Sequence, residues 1–207
     1  MYDTLYNLDN RMIKYQNESL KRTQETFQAF VDAVIPRTPG LAEEYGRIQF
    51  FGALDSHTDE YIILSLNYYY YIPIAEPTAE MLDVAAEHLV IMDRNNRLVN
   101  FSRFMSGSAF AAIEPSDRFR ALTLLEQMNG YLEDLPVPFH DNPELVLYTT
   151  SNLNRFTMMG YYSEWSGYGS TRLATPNQRK LEFYPFSWNQ IGYPGPSRGY
   201  RALRTEL

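Results

Sequence analysis

The sequence predicts an all-α chain, and three observations carry that expectation. Apolar residues recur at helical spacing in several separate segments. Proline, glycine and asparagine clusters punctuate those segments. No stretch shows the strict apolar–polar alternation of a half-buried strand.

Residues 1–22 are polar and weakly patterned and read as an arm or a loose helix. From Thr23 the pattern sharpens: Phe27, Phe30, Val31, Val34 and Ile35 share one helical face, and Pro36 stops the run. A second helix is expected over 41–54. A third covers 59–71 and ends before Pro73. Four consecutive tyrosines, Tyr68 to Tyr71, close that third helix. They cover every direction of a helix, so the run reads as core packing with some hydroxyls turned outward.

Pro77 and Thr78 mark the start of a fourth helix, with Met81, Val84, Ala85, His88, Leu89 and Met92 on its apolar face. A short helix is expected over 101–105. Ser116 is a candidate N-cap for the next, with Asp117 in its first turn and a stripe of Phe119, Leu122, Leu125, Met128 and Leu132. The last long helix begins after Pro143 and runs to about Tyr161. The expected organisation is an arm (1–22), a helical domain of six or seven helices (23–162) and an extended, irregular aromatic tail (163–207). The end of the tail, 187-SWNQIGYPGPSRGYRALRTEL-207, is too rich in proline and glycine for a helix or a central strand.

Charge and composition narrow the function classes. The net charge of −7 argues against nucleic acid as the main partner. The distribution is uneven: residues 150–207 hold seven Lys and Arg against three Glu, so the last quarter is basic on an acidic chain. Arginine, with its planar fork, outnumbers lysine 15 to 3. With no cysteine there are no disulfides, no thiolate-held zinc and no thiolate-held iron–sulfur cluster. Residues 1–22 show no apolar export run and no paired arginines, and the longest uncharged apolar run, 61–75, is too short and too polar to span a bilayer. The expected location is therefore cytoplasmic, with export alongside a partner left open.

Catalytic constellations are sparse. The glycine–serine pattern of a nucleophile elbow is missing, and 167-GYGSTR-172 has neither the third glycine nor the strand–helix setting of a dinucleotide loop. The residues three before His57, His88 and His140 are Leu54, Ala85 and Val137, which excludes the Glu-x-x-His pairs of a di-iron bundle. His88 reads as a hydrogen-bonded core residue, and His140–Asp141 as a turn or rim contact.

The tail is the informative part. Ten aromatic residues, including both tryptophans, fall between Gly160 and Tyr200. Trp, Tyr and Arg are the residue types enriched at binding hot spots. Three destinations fit that composition: the tail caps its own core, stacks on sugars, or wraps a partner protein.

The same residues carry a likeness. The blocks 160-GYYSEW-165 and 187-SWNQIGYPGPSRGY-200 resemble the C-terminal signature of the gluconate 2-dehydrogenase subunit 3 family. The segment 30-FVDAVIPRTPG-40 resembles the family's N-terminal helix and its proline turn, and residues 101–127 sit where the family places its middle helices. The resemblance implies a small, helical, non-catalytic subunit without a cofactor of its own. Its partner would be a large FAD-containing sugar or polyol dehydrogenase of the glucose–methanol–choline type, which it would stabilise in a hetero-oligomer. The expected partner contacts are Tyr161, Tyr162, Trp165, Tyr168, Arg172, Trp188, Ile191, Tyr193, Pro194, Arg198 and Tyr200. On this reading a chain cut after 162 remains a soluble helical domain. The alternatives are a stand-alone carbohydrate-binding or structural surface protein, and an enzyme using His140, Asp141 and tyrosine side chains.

Overall fold

A computed structural model of the chain describes residues 2–68, 70–92, 102, 107–127 and 132–196, with side chains from Gln16 onward. Among these residues there is no strand, and the α-helices are α1 (Tyr2–Val34), α2 (Ala42–Tyr45), α3 (Thr58–Tyr68), α4 (Ala75–Met92), α5 (Ala109–Ala112), α6 (Pro115–Gln127), α7 (Pro143–Tyr162) and α8 (Phe186–Gln190). The chain is all-α, as its periodicity predicts.

The long helices form a closed ring of neighbours. α1 lies against α3, α4, α5 and α6; α4 packs on α6, while α3 and α6 both pack on α7. Phe27, Ile62, Leu66, Met81, Leu82, Phe110, Leu125, Phe139 and Leu153 fill the centre, and each is fully buried. Burying such side chains supplies about 1.5–3 kcal/mol each, which is the main force closing the ring.

A buried carboxylate fixes how the ring closes. Asp83 on α4 accepts from Arg22 Nε on α1 (2.6 Å), Ser108 Oγ (2.7 Å) and the Phe110 N–H (2.9 Å). Ser108 also caps α5 by accepting from the Ala111 N–H at 3.0 Å. Burial pushes the Asp83 carboxyl above the usual carboxylate range, against these donors. Arg118 also ties α5 to α1, donating to the carbonyls of Ala29, Phe110 and Ala111.

Several elements differ from the sequence expectation. Of the two forms expected for residues 1–22, an arm or a loose helix, the helix is the one found: α1 runs without interruption from Tyr2. The helix expected over 41–54 is broken into a 3₁₀ turn (Pro39–Leu41), α2 and a second 3₁₀ turn (Arg47–Phe50), because Gly46 takes φ +89°, outside the helical region. α3 stops at Tyr68, so Tyr70 and Tyr71 belong to a turn. The core reading fails for Tyr68 and Tyr71, which are exposed, and holds in part for the half-buried Tyr70; Tyr69 lies outside the described residues.

On α6 the buried positions are Arg118, Ala121 and Leu125; of the expected stripe Leu125 is buried and Leu122 and Leu132 pack against the core, but Phe119 faces solvent. α4 begins at Ala75, before the expected cap, and its Met92 is exposed. His88 is at the rim and pairs with Asp134 at 3.0 Å. The expected helix at 101–105 and the side chain of Met128 lie outside the described residues, apart from Ser102.

The segment after α1 folds back on that helix. The Ala53 N–H donates to the Ile35 carbonyl, and the Thr38 N–H to the Gln49 carbonyl, both at 2.9 Å. Arg37 grips Asp55, which also accepts from the Gly52 N–H at 2.8 Å. A Cβ at Gly52 would stand 2.7 Å from the Ile35 carbonyl oxygen and 2.9 Å from the Arg37 nitrogen, and backbone cannot retreat as a side chain can. Gly52→Ala is therefore expected to destabilise the chain by about 1–3 kcal/mol, read as a lowered midpoint in denaturant unfolding with an unchanged slope.

Candidate partner-binding surface

A helix ends with its last four carbonyls lacking partners inside the helix. At the end of α7 these belong to Met159, Gly160, Tyr161 and Tyr162. The Ser163 N–H bonds Met159 (3.0 Å), and Ser163 Oγ bonds Gly160 (3.3 Å). The other two are met from 26 residues away: Ser187 Oγ donates to Tyr161 (2.7 Å), and the Trp188 indole N–H to Tyr162 (2.9 Å). Residues 187 and 188 thus cap a helix that precedes them by a long loop.

Trp165 makes a similar bond on the other side of the loop. Its indole N–H donates to the His57 carbonyl just before α3, at 2.8 Å. Its ring meets Tyr61 edge-on with centroids 5.4 Å apart, and the Arg179 guanidinium lies over it at 5.2 Å. Arg172 binds both carboxylate oxygens of Glu60, at 2.6 and 3.2 Å. Both elements of the strap, 163–185 and 186–196, therefore carry named bonds to the helical body.

This corrects the expected contact set. Trp165 and Trp188 are 2% and 4% exposed and Tyr161 is 3% exposed, so their rings are packed inside the chain and cannot be surface anchors. Arg172 is committed to Glu60, and the Tyr168 hydroxyl donates to Glu164 at 2.9 Å. Tyr162, Ile191, Tyr193 and Pro194 do face outward. Arg198 and Tyr200 lie outside the described residues. The tail is also less irregular than expected, since Phe186–Gln190 is helical; the Gly/Pro block proper starts only at Gly192. Cutting after 162 would strip the end of α7 and the Trp165 site, so the helical body is not expected to survive that cut unchanged.

The outward residues of the strap meet a surface that the sequence did not single out. Phe186 stacks on Phe51 with centroids 4.7 Å apart. Tyr45, Arg47, Ile48, Phe51, Phe186, Asn189 and Gln190 line one shallow groove of about 360 Å³. Tyr45, Phe50, Phe51, Ile191 and Tyr193 are all more than 40% exposed. Their separation in sequence hides this patch. The capping of α7 by residues 187–188 and the packing of Phe186 on Phe51 and Tyr161 bring α8 beside the 45–51 segment.

Other candidate chemistry stays dispersed. His140 and Asp141 are sequence neighbours in an exposed turn, with their side chains 3.3 Å apart. Among the described residues no cluster of three His, Asp or Glu could hold a metal ion, and no helix is long and apolar enough to cross a membrane. Comparison with known proteins finds no matching family model, no matching curated protein and no matching solved structure.

Burial raises the Tyr161 phenol from 10.0 to about 12, with Tyr162 and Asp55 adding to the shift. The unfolded chain then releases this proton first, so stability present below pH 10 is lost as pH rises through about 12. The loss amounts to about 2–3 kcal/mol. Tyr161→Phe removes the group and gives up only a 3.5 Å bond to the Phe51 carbonyl. It should fold normally at neutral pH and lose less stability than the native chain across that alkaline window, measured by denaturant unfolding at stepped pH.

Proposed function

We propose that this chain is a non-catalytic small subunit that binds and stabilises a large FAD-dependent sugar or polyol oxidoreductase subunit. The observation that supports this most is the exposed apolar groove between the 45–51 segment and α8. Its lining includes Asn189 and Gln190, which fall in the 187–200 block that resembles the small-subunit family.

The physical argument runs from exposure to partner. Tyr45 and Phe51 hold their rings in water along this groove, and exposed apolar surface rimmed by polar residues marks contact sites. Aromatic residues framed by polar ones, here Asn189, Gln190 and Arg47, match the anatomy of a non-obligate interface. The strap that presents α8 is fixed before binding, by the two indole bonds and the Arg172–Glu60 pair. A preformed surface avoids the ordering cost that a disordered arm would meet on contact. On this reading the flavin and the reacting groups belong to the large subunit, and this chain contributes surface.

The test is affinity capture of the tagged full chain from its native cells, read by mass spectrometry and by the flavin absorbance band of the eluate. The expected result is a large flavoprotein at a fixed ratio to this chain. The double variant Tyr45→Glu/Ile191→Glu, at two positions that face water, should weaken that capture by at least about tenfold with an unchanged melting temperature. A colourless, solitary chain, or capture that the double variant leaves intact, would overturn the proposal.

A further inference from the structure

The α8 groove carries a specific chemistry besides its exposed apolar surface. Phe51 stacked on Phe186 joins its two sides, and Tyr45 and Ile48 extend the apolar lining. Both sides are tied down within the chain. On one, the Thr38 N–H donates to the Gln49 carbonyl and the Phe51 N–H to the Ile48 carbonyl, each at 2.9 Å. On the other, Ser187 and Trp188 fasten α8 to the end of α7.

Among the described residues that line the groove, Arg47 carries the only charge. Elsewhere arginines hold the chain's own carboxylates: Arg22 holds Asp83, Arg37 holds Asp55 and Arg172 holds Glu60. Among the described residues nothing holds the exposed Arg47 guanidinium. Glu43 and Glu44 are near it in sequence, yet neither lies within ion-pair distance of it or lines the groove. The α8 side, residues 186–196, contains no carboxylate at all. Asn189 and Gln190 complete the lining with exposed amides, which can both donate and accept.

Each of these groups selects part of a ligand. The planar fork of an arginine pairs best with a carboxylate. The paired phenylalanine rings take a large apolar side chain. The two amides match the N–H and C=O groups of a peptide backbone. Small-molecule sites occupy about 300–1,000 Å³ and enclose most of their ligand. A shallow groove of about 360 Å³ suits instead a segment that stands out from a protein surface.

We infer that the groove receives a short acidic segment of the partner protein, with an apolar side chain against Phe51 and Phe186 and an Asp or Glu carboxylate on Arg47. This rests on the reading of the α8 groove as the partner contact, and not on the partner being a flavoprotein.

A phage-displayed library of random peptides would be panned on the immobilised full chain, and the enriched peptides titrated by fluorescence anisotropy. Enriched peptides should carry Asp or Glu close to Phe, Leu or Trp. Arg47→Glu should weaken their binding by at least about tenfold at an unchanged melting temperature. Changing the peptide's acid to Lys should restore binding to the Arg47→Glu chain, a recovery that a purely structural role for Arg47 would not give. Arg155→Glu, at an exposed position of α7 that does not line the groove, should leave the affinity as it is. No enrichment, enrichment of peptides without an acid, or an affinity unmoved by Arg47→Glu would overturn the inference. Purely apolar peptides that Tyr45→Glu/Ile191→Glu abolishes would overturn it while leaving the groove as a partner contact. Acidic peptides that bind as expected, with no flavoprotein captured from cells, would uphold it and overturn only the flavoprotein reading.

Discussion

The four carbonyls at the end of α7 are the constraint on which the C-terminal third of the molecule depends. Left bare in a packed region, each would cost about 1–3 kcal/mol. Ser163 meets two of them locally, and Ser187 and Trp188 meet the other two from across the strap. This geometry admits little slack. The indole can reach the Tyr162 carbonyl only if α8 lies against the end of α7, and that position sets Phe186 on Phe51 and against Tyr161. The remaining strap contacts follow. Tyr184 and Tyr193 pack on the Trp188 ring at 5.7 and 4.9 Å, and Arg179 covers Trp165.

The same arrangement divides the aromatic residues between two duties. Tyrosine and tryptophan have an apolar body and one polar handle. Where a backbone carbonyl is within reach, as for Trp165 and Trp188, the ring is drawn inside. Tyr45 and Tyr71 keep their rings in water. The strap is thus a structural part of the helical body on its inner side and the rim of an exposed groove on its outer side.

Much of the helical body was legible in the sequence because its signals are local. The stripe Phe27, Phe30, Val31 repeats at helical spacing and is buried as expected. Pro143 and the following apolar pattern mark α7, with Asn142 as the N-cap accepting from the Leu145 N–H. Signals failed where a distant contact decided the matter. Nothing near residue 46 says that Gly46 will leave the helical region rather than be tolerated within a helix. Phe119 matches an amphipathic stripe as well as Ala121 does; the face that wins is chosen by Arg118, which must reach the carbonyls of Ala29, Phe110 and Ala111. For the candidate surface, composition singled out residues that the structure packs inside the chain. The tryptophans drew attention as hot-spot types, yet their indole donors made them the residues most useful to the fold. Tyr45 and Phe51, 135 or more positions from α8, carried no local signal at all.

The central claim is that the segment 163–196 is bound into the helical body through its two indole donors. The chain has two tryptophans, so their indole N–H resonances are easily told apart from the rest. Hydrogen exchange at those two sites in the full chain is the most direct measurement. The account predicts that both exchange only as slowly as the most protected amides of α7, because opening either bond requires the body to open. Exchange at the rate of a free indole, with the α7 amides still protected, would show a strap that leaves the helices freely and would contradict it.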